Sequence, residues 1–564
     1  MKKGFLFLFW IFVCCSANIF SQVNSWQWAK TAVSNGGNYA IRTCANSNGG
    51  VYVSGYFVTD TICFGTDTLF HTNNFGSDIF LAKYDAAGNV LWAKNFASGR
   101  AYGDADDYDI AADGNGNVYF TAGLFIDSAV FGNFTLHNDT ANSSYTLSDV
   151  VVVKCDSSGN VLWAKVMGGK TNELPAGICV DNHNNVFVTG RFNSSSIPFG
   201  NTTLATSAYF DVFIIKYDSL GNEVWGKSAS GNNWEFGRSL ASDALGNIYV
   251  TGFFNSDILH FDNILLFNSA LNIDEFFIAK YDTNGNAIWA KKAVGGDDDA
   301  GEDVTVDDVG NIVATGYFRS PTLAFDNVIL TNNFIAGYHE VFITKFDPLG
   351  NVIWAKNAGG YDDDIGTGIC TDANNAVYVT GRYGLPDAIF GNDTCLNSGT
   401  SGTGDVFVVK YDSGGNELWV KTANGNGDDQ GNSICIDSNG DIYVTGFYWI
   451  SVSFGNIALN NTGPSGSEIF LAKLGATTGM QELFSKENLS PFPNPSSGNF
   501  TIKNNFSTNY QIEIFNSLGQ EVFQKENLTE NNFDADLSDQ SNGIYFVRII
   551  SDGKIYSEKI IIEK

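Results

Sequence analysis

Tyr281-Asp282-Thr283-Asn284-Gly285-Asn286-Ala287-Ile288-Trp289-Ala290-Lys291 decides how this chain is built, because variants of it return at a nearly fixed interval. Its Trp recurs as Trp28, Trp92, Trp163, Trp225, Trp289, Trp354 and Trp419, a spacing of 62 to 71 residues that marks stacked or radial units. Lys83, Lys154, Lys216, Lys280, Lys345 and Lys410 each close an apolar run eleven residues before Lys94, Lys165, Lys227, Lys291, Lys356 and Lys421. Constant separation specifies a hairpin of fixed length. Between the runs lies Asp-x-x-Gly-Asn or a relative of it, as in Asp218-Ser219-Leu220-Gly221-Asn222, where Asp bonds its own backbone and Gly takes positive φ.

A second such turn precedes Asn247-Ile248-Tyr249-Val250-Thr251-Gly252, a segment that recurs at Val51, Val118, Val186, Ile312, Val377 and Ile442. Short runs of β-branched and aromatic residues between turn signals read as buried strands. Another run, such as Ile434-Cys435-Ile436-Asp437, lies upstream of that turn, so each unit offers four strands, A to D. Between B and C every unit inserts Phe-Gly-Asn-x-x-Leu or a variant, at Phe64, Phe131, Phe199, Phe261, Phe325, Phe390 and Phe454.

The ends of the array carry the topology. The last C strand, Glu468-Ile469-Phe470-Leu471-Ala472-Lys473, has no Trp-Ala-Lys strand after it, and Ser25-Trp26-Gln27-Trp28-Ala29-Lys30 has no C strand before it. Joining the two closes a ring and removes an exposed sheet edge. The expected fold is all-β, a seven-bladed β-propeller closed by an N-terminal strand and followed by a small Ig-like β-sandwich. An open solenoid of the same strands is the alternative, and it would need capped ends.

A formal net charge of −30 repels nucleic acid and anionic lipid. Met1-Lys2-Lys3, the apolar run from Gly4 to Cys15 and the following small residues have the parts of a secretory signal, with cleavage expected near Ser21. That run is too short to span a membrane, and no transmembrane segment is expected after it. Cys44, Cys179, Cys370 and Cys435 share one column of strand A with Ala111, Ala241 and Thr305, which reads as packing rather than as a disulfide framework.

Acids gather where strand D leads into the next unit: Asp297-Asp298-Asp299, Asp362-Asp363-Asp364, Asp428-Asp429 and Asp104-Ala105-Asp106-Asp107. In a four-stranded blade the D-to-A and B-to-C connections emerge on one face, which therefore carries both the acidic loops and the variable inserts. Two readings of Asp297, Asp298, Asp299, Asp362, Asp363, Asp364, Asp428 and Asp429 stand side by side: a Ca²⁺ site built from hard oxygen ligands, and solvated surface loops. No other cofactor is expected. The lysine columns are too regular for a substrate patch and read as strand stems with ammonium groups near a turn Asp. No His-Glu-x-x-His, Gly-x-Ser-x-Gly or phosphate-cradling loop occurs, and the five histidines build no shared site.

After Lys473 the pattern stops. Leu474 to Ser490 has linker character, and alternating runs at 510–515, 521–524, 544–550 and 559–562 read as a small antiparallel sandwich. Pro493-Asn494-Pro495, Asn516-Ser517-Leu518-Gly519-Gln520-Glu521-Val522, Asp536-Leu537-Ser538, Asn542-Gly543-Ile544-Tyr545 and Lys559-Ile560-Ile561-Ile562 resemble, in order and spacing, the type A C-terminal sorting domain of the type IX secretion system. The resemblance implies passage across the outer membrane of a Gram-negative-type bacterium, with the secretion machinery as partner and a secreted or cell-surface product. Val-Thr-Gly, Phe-Gly-Asn and Lys-Tyr-Asp-x-x-Gly-Asn likewise resemble the SBBP class of β-propeller repeats of exported bacterial proteins, which implies the fold but no single activity.

The expected organisation is a signal peptide over 1–21, the propeller over 22–474, a linker over 475–490 and the sorting domain over 491–564. The expected function is a non-catalytic binding or adhesion module that meets an extracellular glycan or protein. A propeller enzyme acting on extracellular polysaccharide and a structural surface-layer component are the rivals.

Overall fold

The structure, a computed structural model, describes residues 24–564 apart from 35–36, 47–48, 73–75, 98–107, 139–146, 207–208, 333–336, 398, 400–402, 462, 464–465, 477–488, 505–508, 517–519 and 552–553. The expected signal segment, the acidic run 104–107 and most of the 475–490 linker lie outside the described residues. Every helix or strand among the described residues is a strand. The chain divides into two compact units, one of them 24–476 and the other containing 477–564.

The larger unit holds seven sheets in which four antiparallel strands follow the A-B-C-D order, and two of these sheets extend by a further hairpin. The sheet containing the opening stretch runs Glu235–Ser242, Ile248–Phe254, Glu275–Tyr281 and Ala287–Lys292. Numbered from the N-terminus by their A strands, it is the fourth. In the seventh, Asn24–Thr31 takes the D position against Glu468–Ala476, with Ala29 opposite Ala472 and Thr31 opposite Phe470. Each A strand packs beside the next, and Asn38–Ala45 of the first sheet packs beside Gln430–Ile436 of the seventh, so the order is cyclic.

Strand B is largely apolar because neighbouring sheets cover both its faces; every residue of Ile248–Phe254 is buried. The core forms between sheets, as where Val150, Val152 and Trp163 of the second meet Ile178, Val188 and Phe192 of the third. Each such side chain contributes about 1.5–3 kcal/mol on burial.

The recurring C–D turn of the first six units is held by the sheet before it. Asp282 accepts the backbone N–H groups of Asn284 and Asn286 at 2.9 and 2.8 Å, which bends the chain into the turn. From the preceding sheet, the Trp225 indole and the Lys216 ammonium both donate to the Thr283 carbonyl at 3.2 Å. Gly285 lies flat on that indole with φ of +80°, and a Cβ there would sit 2.9 Å from the ring. The stretch repeats the arrangement forward, since Trp289 and Lys280 both donate to Pro348 of the fifth sheet at 3.2 Å. Lys280 also rests 5.0 Å from the centroid of the Tyr249 ring. The strand C lysines are thus inter-sheet fasteners, and Lys345 and Lys473 also reach Asp307 and Asp441 in the A-to-B turns of their own sheets at 2.8 and 2.7 Å.

The A strands are also tied to one another around the inside of the ring. Arg42 meets Asp109 at 3.3 Å, Asp109 accepts the Ile178 N–H at 2.8 Å, and Asp303 accepts the Ser239 hydroxyl at 2.6 Å and the Ile369 N–H at 2.9 Å. The described cysteines are all free thiols, and those of the strand A column are pushed up in pKa by burial.

The Phe-Gly-Asn insert is a two-stranded hairpin rather than a loop, for example Ile258–Phe261 with Ile264–Phe267. Its first strand pairs with the connection arriving from the preceding sheet, as in Gly359 with Ile389, Asn424 with Ser453 and Val294 with Ala324. Inserts and D-to-A connections therefore share one face.

The smaller unit contains one sheet of Leu489–Phe492, Asn499–Asn504 and Asn532–Asp536 and another of Glu521–Leu528, Tyr510–Asn516, Gly543–Ser551 and Lys554–Ile562. Phe500, Ile502, Ile514, Val547 and Ile560 share its core. The Asn of Pro493-Asn494-Pro495 explains that motif's place: its amide donates to the Lys559 carbonyl at 2.7 Å and accepts the Ile561 N–H at 2.9 Å, fixing the last strand.

Removing residues 24–31 strips the seventh sheet of its outer strand and the first of its Trp28 clasp. We expect that deletion to lower the melting temperature by about 10 °C or more; an unchanged value would show that ring closure contributes nothing.

Candidate functional site

The face shared by the inserts and the D-to-A connections holds the acids singled out in the sequence. They fall at three successive junctions and divide by depth. Asp299, Asp364 and Asp429, the last acid of each run, are fully buried. Asp299 accepts the backbone N–H groups of Arg319 and Ser320 at 3.1 and 3.2 Å and the Ser320 hydroxyl at 2.7 Å. Asp364 accepts Gly360 and Gly384 at 2.6 and 2.9 Å, and Asp429 accepts Trp449 at 3.2 Å.

Each of these carboxyls faces a second buried acid at the start of strand C in the preceding sheet: Glu275, Glu340 and Asp405. Glu173 and Glu235 face Asp149 and Asp211 in the same way. Burial first, and the neighbouring acid second, raise these groups, with Asp299 pushed up to about 7 and Asp429 to about 8. Burial beside another acid favours the protonated form of these carboxyls, and at the Asp299 pair the Lys292 ammonium also meets Glu275 at 2.7 Å. The seventh-to-first junction supports the protonated form, because Asn38, a permanent mimic of a protonated acid, stands 3.4 Å from Glu468.

Asp298, Asp363 and Asp428 have a different task. They accept the backbone N–H groups of Asp274, His339 and Gly404, each at 3.0 Å, and so tie each junction to the sheet before it. Arg319 clamps Asp297 and Asp298 at 2.6 Å each, and the His339 ring lies 2.7 Å from Asp363. Asp362 accepts the Asp363 N–H at 2.9 Å. Among the described residues, no three His, Cys, Asp or Glu side chains come together as a metal would require.

Asn172 fills the tying position between the second and third sheets, accepting Ser148 at 3.1 Å. Between the third and fourth the same position is Trp234, and there the face opens. An open cleft of about 470 Å³ is lined by Asn233, Trp234, Phe236, Phe253, Asn255 and Asp274. Trp234 and Tyr209 are 43% and 58% exposed, with ring planes 21° apart. The Trp234 and Phe236 planes differ by 8°, and Phe253 stacks on Phe236 at 4.8 Å. The Arg191 guanidinium lies 4.3 Å from the Phe236 centroid, and Arg238 lies 5.4 Å from that of Phe253. Opposite the rings runs a polar relay in which Asn233 donates to Asn255 at 2.6 Å and Asn255 to Asp274 at 2.8 Å. Burial raises Asp274, the Asn255 bond lowers it and Asp298 raises it again.

The cleft residues were not singled out by sequence. The available signal was the departure of Trp234 from the spacing of Trp163, Trp225 and Trp289. Trp28, Trp92, Trp225, Trp289 and Trp354 donate to the next sheet's turn, whereas the Trp234 indole, like that of Trp163, makes no hydrogen bond among the described residues.

The buried acids bind protons more tightly folded than unfolded. Their stabilisation is complete below the unfolded pKa of about 4 and is lost as pH rises through 7 to 8. The melting temperature should therefore fall between pH 5 and pH 9, and Asp429→Asn should flatten that slope; a rise over this range would refute the raised carboxyls. Because the acidic-loop carboxyls already have protein donors, a chelator should leave melting unchanged, and a downward shift would place a metal among them.

Residues 490–563 match the family model of the secretion system C-terminal sorting domain, and residues 418–446 match that of the beta-propeller repeat. An uncharacterized WD repeat-containing protein of Acanthamoeba polyphaga mimivirus is 24% identical over 495 residues, covering 73% of this chain and 35% of that protein. The chain thus spans about a third of that relative's length. A structure of YCF48 bound to D1 peptide aligns over 81% of this chain and 97% of its own at 8% identity and a TM-score of 0.35. A puromycin hydrolase mutant aligns over 83% and 58% at 8% identity and a TM-score of 0.40. The chain carries an SBBP beta-propeller repeat and, at its C-terminal end, a type IX sorting domain, which implies export to the cell surface or the medium.

Proposed function

We propose that residues 22–474 are a seven-bladed β-propeller and that residues 491–564 are an Ig-like sandwich acting as its sorting signal, with 1–21 a signal peptide and 475–490 a linker. The exported propeller is a non-catalytic module that binds an extracellular glycan or protein through the face bearing the inserts.

The observation that carries this reading is the contrast between columns. The clasp residues hardly vary, whereas the B-strand position at the insert-bearing end reads Tyr56, Gly123, Arg191, Phe253, Tyr317, Arg382 and Phe447 from sheet to sheet. Variation among repeats of one architecture, in aromatic and arginine side chains apart from one glycine, suits a binding face on a repeated scaffold, and Tyr56, Tyr317, Arg382 and Phe447 keep part of their surface exposed there. The rival enzyme acting on polysaccharide has one observation in its favour, the contact between His339 and Asp363 at 2.7 Å.

Incubating the secreted protein with extracellular polysaccharides and surface proteins separates the two. Retention without release of new chain ends is the expected result. Turnover abolished by His339→Ala would overturn it.

A further inference from the structure

The cleft at the Trp234 junction, lined by the connection into the fourth sheet and by that sheet itself, is built for a narrower class of ligand than the face as a whole. We propose that it is a subsite for one sugar ring of a neutral polysaccharide, with Trp234 as the platform, Tyr209 beside it outside the cleft lining, and Asn233, Asn255 and Asp274 as the hydroxyl-reading edge. The proposal rests on the reading of the protein as an extracellular binding module and adds the site and the ligand class.

Three properties select this ligand. The exposed Trp234 indole offers flat apolar surface to the C–H face of a pyranose, with the exposed Tyr209 ring 6.4 Å away, and ring rigidity limits the entropy lost on binding. The relay of Asn233, Asn255 and Asp274 presents donors and acceptors side by side, which matches hydroxyls that both donate and accept. A volume of about 470 Å³ falls in the range of small-ligand pockets, and its open side lets a chain continue past the bound unit.

Charge removes the competitors. A cation seeking the aromatic faces meets Arg191 and Arg238, already set against Phe236 and Phe253. An acidic polymer meets Asp274 at the edge and a chain of formal charge −30. A neutral, hydroxyl-rich ligand incurs neither cost. Trp234 fits the role because it occupies the column where Asn172, Asp298, Asp363 and Asp428 tie adjoining sheets; there the indole leaves that bond unmade and is 43% exposed.

The test is titration of the full-length protein with neutral glucan, mannan and xylan oligosaccharides, with oligogalacturonate and a lysine-rich peptide as charged comparators. At least one neutral oligosaccharide should bind, shift the tryptophan fluorescence and show little dependence on salt. Trp234→Ala should weaken it by about tenfold or more, and Tyr209→Ala by a smaller factor, with Trp234→Phe retaining most affinity. Melting curves of each variant check that the fold persists, and Tyr209→Ala keeps the test open if Trp234→Ala fails to fold. Neutral-glycan binding untouched by Trp234→Ala and Tyr209→Ala would overturn the site while leaving the broader binding role standing. Preference for oligogalacturonate or the peptide would overturn the ligand class, and binding of none of these probes would overturn the proposal outright.

Discussion

Everything in the larger unit depends on the clasp between one sheet's Trp and Lys and the next sheet's turn. It combines a carbonyl that accepts two donors, a ring lying on a glycine and an Asp that shapes the turn from within. Any one of these is worth little, of order 1 kcal/mol for a neutral hydrogen bond. Their weight comes from repetition at successive junctions, from Trp28 of the seventh sheet on the first sheet's turn to Trp354 of the fifth on the sixth sheet's, while the split seventh sheet has no such turn.

The clasp also explains how much could be read without coordinates. Trp225 and Thr283, far apart in the chain, form one contact, so the Trp period, the Lys spacing and the Asp-x-x-Gly-Asn turn are constrained together and stand out as a repeat. The place of Trp26–Lys30 beside the last C strand was legible for the same reason, since the array lacked one part at each end. The insert was legible as a recurring motif but not as a hairpin, because its partner is a connection whose sequence changes from unit to unit.

The acidic runs show where sequence proximity misleads. Asp297, Asp298 and Asp299 are consecutive, yet one pairs with Arg319, one also ties a neighbouring sheet and one is buried against Glu275. Alternation along an extended backbone sends successive side chains to different surroundings. The partner acids at the start of strand C lie 24 residues earlier, on the far side of the C–D hairpin, so the pairing was invisible until the sheets were set side by side. The aromatic cleft was hidden for the opposite reason: it occurs once, and repeat analysis rewards what recurs.

The split seventh sheet imposes an order on assembly. Asn24–Thr31 lies at the start of the described chain, but its partner Glu468–Ala476 comes at the end of the array, so this strand waits for the whole array before it pairs. A prematurely ended product leaves that strand and a preceding sheet edge without their mates, both open to proteolysis and edge-to-edge aggregation. The sorting domain begins only after Ala476. Completion of the ring and possession of the export address are thereby coupled, and a chain long enough to carry the address already contains every strand needed to close.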